Sequence, residues 1–95
     1  MNITEVEDYL KSINIPYTGE ISNNDSYVID LSNSNDYGKV YSILDKSEDL
    51  DLLDDNQVVT EQGSSLIYES DSTNYMVNLI ADWDSNKYQV VINEI

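Results

Sequence analysis

The second half of the chain constrains the fold most strongly, because four of its segments read as strands and apolar residues alternate along the last two. These segments are QVVTE, SLIYES, YMVNLIADW and KYQVVINEI, and the turn-rich strings QGS, DSTN and DSN separate them. One face of the last two segments collects Tyr75, Val77, Leu79, Ala81, Trp83, Tyr88, Val90 and Ile92. Such alternation predicts an antiparallel meander that packs one face on helices and exposes the other to water.

The first half of the chain begins with a helix followed by two short strands. An apolar stripe at helical spacing predicts a helix over residues 3–13, in which Thr4 and Glu7 have the spacing of a capping box. Pro16 lies just beyond its end. The strings YTGEIS and SYVIDL predict two strands around a turn at residues 23–25.

A second apolar stripe predicts another helix, from about residue 35 to residue 46. This stripe consists of Tyr37, Val40, Tyr41 and Leu44. A chain of 95 residues supports one hydrophobic core, so residues 1–95 form a single domain. We therefore predict an α+β fold: two N-terminal helices packed on an antiparallel sheet that ends in a C-terminal β-meander.

The charge of the chain limits its partners. There are 19 acidic residues against four lysines, with no arginine or histidine, and the net charge is −15. Nucleic-acid binding needs clustered lysine and arginine, and anionic membranes need the same, so we expect no direct binding to either. We expect a monomer whose partners are cationic, because like charges keep the chains apart.

The residue types that are missing argue against catalysis. Without histidine or cysteine the chain has no triad base, thiol nucleophile, thiolate metal site or disulfide. Carboxylate pairs occur by chance among so many acids, so we predict that the protein is not an enzyme and needs no cofactor. The N-terminal string MNITEVEDYL has neither a basic region nor an apolar run, which favours an intracellular protein.

The central segment, residues 45–57 (DKSEDLDLLDDNQ), carries six carboxylates and one lysine. As a helix it would place Leu50 and Leu53 on an inner face and the acids on an outer arc. An irregular loop with one helical turn is equally compatible with the pattern. In either case the acids face water, because burying unpaired carboxylates is prohibitive.

A second acidic string, DWDSNK, admits two interpretations. Asp82, Asp84 and Asn86 occupy the first, third and fifth positions of a calcium-binding loop. However, Lys87 stands where that loop needs glycine, and Glu94 falls one residue late. The string therefore favours a hairpin turn, and we predict no metal site.

The eight tyrosines replace phenylalanine, which the chain lacks. We expect the four tyrosines on the predicted inner faces to lie in the core; these are Tyr37, Tyr41, Tyr68 and Tyr88. Tyr9 and Tyr17 are expected to be exposed.

In size, charge, lack of histidine and cysteine, and helix-plus-sheet layout, the chain resembles the small acidic DNA-mimic inhibitors encoded by phages, most of all the anti-CRISPR proteins. The resemblance implies an inhibitor in the cytoplasm of a bacterial host cell. It would dock where a CRISPR effector such as Cas9 holds guide RNA or reads target DNA. We predict that its partner-binding residues are Asp45, Glu48, Asp49, Asp51, Asp54 and Asp55, with Asp82 and Asp84 as a second patch.

Two other functions fit the same composition. One is an immunity protein that neutralises a basic nuclease toxin by placing acids against its catalytic cations. The other is an acidic structural or adaptor protein without an inhibitory role. The sequence leaves all three open.

Overall fold

A computed structural model describes residues 1–95, apart from the side chain of residue 56. The helices are α1 (Ile3–Ser12) and α2 (Ser34–Lys46). The strands are β1 (Glu20–Ile21), β2 (Tyr27–Leu31), β3 (Leu50–Leu52), β4 (Val58–Val59), β5 (Gly63–Ser70), β6 (Tyr75–Asp82) and β7 (Lys87–Glu94). All pairings are antiparallel, in the order β1-β2-β7-β6-β5-β3, and β4 also pairs with β5.

The α+β class and the β5-β6-β7 meander are confirmed, but the placement of both helices at the N-terminus is wrong. The β1-β2 hairpin lies between the two helices, and α2 lies in the middle of the chain. The reason is that β2 belongs to the main sheet, where Tyr27 pairs with Ile92 of β7. The chain then crosses the sheet as α2 before it adds β3 at the far edge.

Both helices begin at asparagine caps. The side chain of Asn2 accepts hydrogen bonds from the backbone N–H groups of Thr4 (3.0 Å) and Glu5 (3.2 Å). Asn33 accepts in the same way from Asp36 (3.0 Å). The predicted capping box at Thr4 is therefore wrong, because the helix already begins at Ile3 with Asn2 as its cap, and Thr4 lies inside the first turn.

The core lies between the helices and one face of the sheet. Val6 and Leu10 of α1 and Val40 and Leu44 of α2 are essentially inaccessible to water. They pack in one cluster with the alternating inward side chains of the strands, which include Tyr27, Ile29, Leu66, Tyr68, Val77, Leu79, Val90 and Ile92. The predicted inward positions of β6 and β7 are confirmed except for Trp83, which follows the end of β6 and is 43% exposed.

The acid-rich central segment forms a broken edge strand beside β5. Leu52 of β3 pairs with Tyr68, and Val58 of β4 pairs with Ser65. Five residues separate Leu52 from Val58, whereas two separate their partners, so the edge carries three extra residues. A single 3-10 turn, Asp54–Asn56, accommodates them. The predicted helical turn is present, but strands flank it, and a continuous helix over this segment is excluded.

Within the described part of the chain, neither helix has the length and apolar character that crossing a bilayer requires.

Candidate protein-binding surface

Five carboxylates lie along the β3-β5 edge of the sheet, and we call this group the acidic edge. Its members are Asp51, Asp54, Asp55, Glu69 and Asp71. The sheet register places Asp51 directly opposite Glu69. Asp54 and Asp55 lie in the 3-10 turn farther along the same edge, where Gln57 donates a hydrogen bond to Asp54 (3.2 Å). The sequence segments that carry these acids are 20 residues apart or less, but only strand pairing brings them together.

The neighbouring carboxylates of the acidic edge oppose the ionisation of Asp71. The pKa of Asp71 is raised, chiefly because its carboxyl lies in hydrogen-bonding reach of Asp51, with further contributions from the charges of Asp49 and Glu69. A raised carboxyl pKa at an exposed position is the effect expected of neighbouring like charges. The edge therefore holds negative charge at a cost in folding stability.

The ion pair that the described residues form lies away from the acidic edge, between the N-terminal amine and Asp25. Among the described residues, none of the four lysines forms an ion pair. Lys46, at the end of α2, is the lysine nearest in the sequence to the acidic edge, and it is exposed. The carboxylates of the acidic edge are therefore free to meet cations of a partner.

Asp49 belongs to the predicted set but is engaged inside the protein. Its carboxylate accepts hydrogen bonds from the Tyr9 hydroxyl (2.8 Å), the Ser70 hydroxyl (2.7 Å) and the Ser72 backbone N–H (2.9 Å). Partial burial opposes ionisation, but these bonds outweigh it and lower the pKa of Asp49. Asp49 thus joins α1 to the β5-β6 turn. Tyr9 was expected to be exposed, but it is buried, and its hydroxyl is the one that bonds to Asp49.

Asp45 and Glu48 lie just before the acidic edge and are both exposed. Asp45 occupies the last turn of α2, close to Tyr68. Burial raises the pKa of Tyr68 to about 12, and the charge of Asp45 contributes to the same shift. Glu48 lies in the turn between α2 and β3. Both extend the negative surface from the end of the helix to the sheet edge.

The second predicted patch is at the opposite end of the sheet. Asp82 pairs with Gly63 at the start of β5, whereas Asp71 follows its end. At a rise of about 3.4 Å per residue, the two ends of this strand are roughly 24 Å apart. The hairpin interpretation of this string is confirmed: Asp82 accepts a hydrogen bond from the backbone N–H of Ser85 (3.2 Å). The Ser85 side chain, followed by this backbone contact, lowers the pKa of Asp82. Asp82 and Asp84 are exposed but do not join the acidic edge.

Sequence reasoning omitted Glu69 and Asp71 from the site. Glu69 is the one acid among the outward positions of SLIYES, and Asp71 is the first residue of the turn string that follows. Pairing that strand with the acid-rich segment would have selected both residues, but the segment was not expected to contain a strand.

Within the described side chains, no three acidic groups converge in a way that would hold a metal ion. Comparison of the chain with protein-family models, with curated proteins and with solved structures finds no match.

Proposed function

We propose that this protein is an acidic inhibitor that acts as a DNA mimic. It binds the nucleic-acid-binding surface of a CRISPR effector of the Cas9 type, or of another DNA-processing enzyme, in the cytoplasm of a bacterial host cell. The observation that carries the proposal is the acidic edge, a row of unneutralised carboxylates that the fold concentrates despite their repulsion.

The spacing of these carboxylates supports mimicry of a nucleic-acid backbone. Side chains directly opposite each other in an antiparallel pair have Cβ atoms about 5 Å apart, as Asp51 and Glu69 do by register. A duplex presents one charge per roughly 3.4 Å along each strand. The charge density of the acidic edge is thus comparable to that of the ligand it would displace.

The rigidity of the edge also supports the proposal. Asp51 and Glu69 lie on paired strands, and Asp54 and Asp55 lie in a turn whose ends are fixed by pairing to β5. A backbone held in place by pairing loses little conformational freedom when its carboxylates bind arginine or lysine, so more of the interaction energy appears as affinity. Bidentate contacts with arginine, as in the arginines that read a PAM sequence, suit such fixed carboxylates.

Competition for a labelled DNA duplex tests the proposal. A guide-loaded Cas9-type effector is mixed with a fluorescent target duplex, and the protein is titrated at low and at moderate ionic strength. We expect displacement of the duplex that weakens steeply as salt rises, because screening shortens the range of charge interactions.

Capture on the tagged protein from a lysate of a CRISPR-bearing bacterium, followed by mass spectrometry, extends the test to other targets. A glycosylase or restriction enzyme that is released by salt supports the DNA-mimic proposal. Capture of a dedicated nuclease toxin instead identifies an immunity protein and overturns it.

A further inference from the structure

The face of the sheet turned away from the helices is apolar at its centre. Strands of an antiparallel sheet with one wet face alternate between apolar and polar residues. Here β6 reads YMVNLIAD, with Met76 and Ile80 at outward positions, and the outward position 91 of β7 is valine. The remaining outward positions of these two strands are polar, so the apolar side chains lie among amide and charged ones; these positions are Asn78, Asp82, Lys87, Gln89 and Asn93.

The outward side chains lie in and beside one row that crosses β5, β6, β7 and β2 and ends at Leu53, just beyond β3; its position on β6 is the polar Asn78. We call the apolar residues of this region the apolar row; they are Val28, Leu53, Ile67, Met76, Ile80 and Val91. The register aligns Ile67, Asn78, Val91 and Val28, and the Leu53 N–H bonds the carbonyl of Ile67 at the edge (2.9 Å). Met76 and Ile80 lie two residues either side of Asn78, in the adjoining rows of the same face. With strands about 4.8 Å apart, the apolar row spans roughly 20 Å.

Neither helix covers this face. The core cluster contains the helix side chains together with inward strand residues, and it includes none of the apolar row. Val28, Leu53, Ile67, Met76, Ile80 and Val91 are all partly exposed. Val58, on β4 beside Ser65, enlarges the surface and is 55% exposed.

Carboxylates surround the apolar row. Asp51 and Glu69 of the acidic edge bound it on one side, Glu20 and Asp30 bound it at the opposite edge, and Asp82 lies at the end of β6. One cation, Lys87, pairs in register with Asp82. An apolar centre within a charged rim is the usual anatomy of a protein-protein interface.

We propose that this open face is the docking surface for a cationic protein, which covers the apolar row with its own apolar side chains and meets the rim carboxylates with lysine and arginine. The proposal rests on the proposed function, since it names the second component of the same interface. Charge determines the occupant. A second copy of this chain would bring two rims of carboxylates together, and these would repel each other, whereas a basic surface would neutralise the single rim that it meets.

A designed peptide tests the surface without knowledge of the natural partner. One peptide alternates lysine and leucine, and a second has the same lysines with serine in place of leucine. Backbone amide shifts are recorded by NMR during titration with each. We expect the lysine-leucine peptide to shift the amides of Val28, Ile67, Ile80 and Val91, and the lysine-serine peptide to shift only the acidic edge. Shifts confined to the acidic edge with both peptides would overturn the proposal.

Matched variants separate apolar from electrostatic contributions. Ile67→Thr with Ile80→Thr removes apolar surface from the open face, while Val59→Thr with Ile95→Thr makes the same change at two residues that are each 67% exposed and lie outside the apolar row. We expect the first pair to weaken the lysine-leucine peptide at least tenfold and the second pair to leave it unchanged. Equal affinities would contradict the proposal. If the first pair fails to fold, Met76→Gln with Val91→Thr replaces it.

The same variants distinguish failure of this inference from failure of the proposed function. If the parent displaces DNA from the effector and the Ile67→Thr, Ile80→Thr variant does so equally well, the open face is not the docking surface and the DNA-mimic function stands. If the effector is not inhibited but the lysine-leucine peptide binds the open face, the docking surface stands and the proposed function fails. Sedimentation of the parent as a dimer that this variant dissociates would identify a second copy as the occupant and overturn the proposal.

Discussion

The Tyr9 hydroxyl of α1 donates a 2.8 Å hydrogen bond to the carboxylate of Asp49, in the middle of the most acidic stretch of the chain. Two residues later Asp51 is exposed and faces Glu69 across the strand pair. Neighbouring acids in one segment therefore have opposite roles. Asp49 stabilises the attachment of the first helix, whereas Asp51 contributes charge to the surface.

Replacing these two aspartates separates their roles. We expect Asp49→Ala to lower the free energy of unfolding by about 1–3 kcal/mol, because the Tyr9 and Ser70 hydroxyls lose a charged acceptor. Asp51→Ala, the matched control, should be neutral or stabilising, since it relieves repulsion with Glu69 and Asp71. Urea unfolding of both variants measures the difference. Equal destabilisation by the two changes would contradict the assignment.

The stability of the fold should pass through a maximum in weakly acidic solution. The pKa of Asp71 is raised above the ordinary 3.8, so the folded state binds its proton more tightly, and stability rises as pH falls through that pKa. The pKa of Asp49 is lowered below 3.8, so its stabilisation is lost as pH falls through that lower value.

Thermal unfolding across pH 2–8, in closely spaced steps, measures this profile. The Asp51→Asn variant should flatten the rise on acidification, and Asp49→Ala should flatten the fall at lower pH. A profile that declines steadily from neutral pH would show that repulsion along the acidic edge does not affect folding.

Removing the hydroxyl group from two buried tyrosines should change the stability of the fold in opposite directions. Among the described residues, the Tyr68 hydroxyl has no hydrogen-bond partner, so we expect Tyr68→Phe to stabilise the fold by about 1 kcal/mol. The Tyr27 hydroxyl accepts from the Gly19 N–H (2.9 Å) and donates to Glu7 or to the Tyr17 carbonyl. Tyr27→Phe should therefore destabilise by about 1–2 kcal/mol. Denaturant unfolding of both variants checks the pair, and the same sign for both would refute the hydrogen-bond assignment.

Alanine substitution at two glycines should also change the stability of the fold in opposite directions. Gly38 lies inside α2 with open space around it, so Gly38→Ala should stabilise by about 0.5–1 kcal/mol through helix propensity. At Gly63, a Cβ atom would collide with the backbone carbonyl of Ala81 on the paired strand. Gly63→Ala should cost about 1–3 kcal/mol, as overpacking does elsewhere. Thermal unfolding measures both, and a tolerated alanine at Gly63 would contradict the close approach of β5 and β6.

The sequence predicted those elements in which local pattern and final environment agree. The stripes of α1 and α2 and the alternation in β6 and β7 mark faces that do contact the core, except at Ile3 and Tyr41. Tyr41 was expected in the core, but it is exposed. The segment from Asp45 to Val59 was ambiguous because its strands are two and three residues long and a three-residue insertion interrupts them. No periodicity can develop over such lengths.

For the candidate site, the sequence predicted some of the charged residues but not how they are arranged. Counting charges selected Asp51, Asp54 and Asp55, which the fold does place together. It could not show that Asp49 is bonded internally, because that depends on Tyr9, 40 residues away. It also could not show that Asp71 joins the group, since this requires the register of β3 against β5.

The acidic edge could serve the fold alone, because charge and a bulge both keep an exposed strand edge from pairing with other chains. Lysine protects a strand edge from such pairing as well as aspartate does. Replacing the aspartates by lysine therefore preserves edge protection but removes docking to a cationic partner, which distinguishes the two roles. The control must carry the same change in net charge at exposed acids away from the acidic edge and the open face. Glu5, Asp8 and Glu94 meet this requirement.

The most direct measurement compares inhibition of DNA binding by two triple variants, Asp51→Lys, Asp54→Lys, Asp55→Lys and the control Glu5→Lys, Asp8→Lys, Glu94→Lys. Both are first shown to be folded by circular dichroism, and each is then titrated against the guide-loaded effector with its labelled duplex. The account predicts that the first variant no longer displaces the duplex while the control retains most of the parent's potency. If the first variant inhibits as well as the parent does, the acidic edge is solvated surface and the DNA-mimic account is wrong.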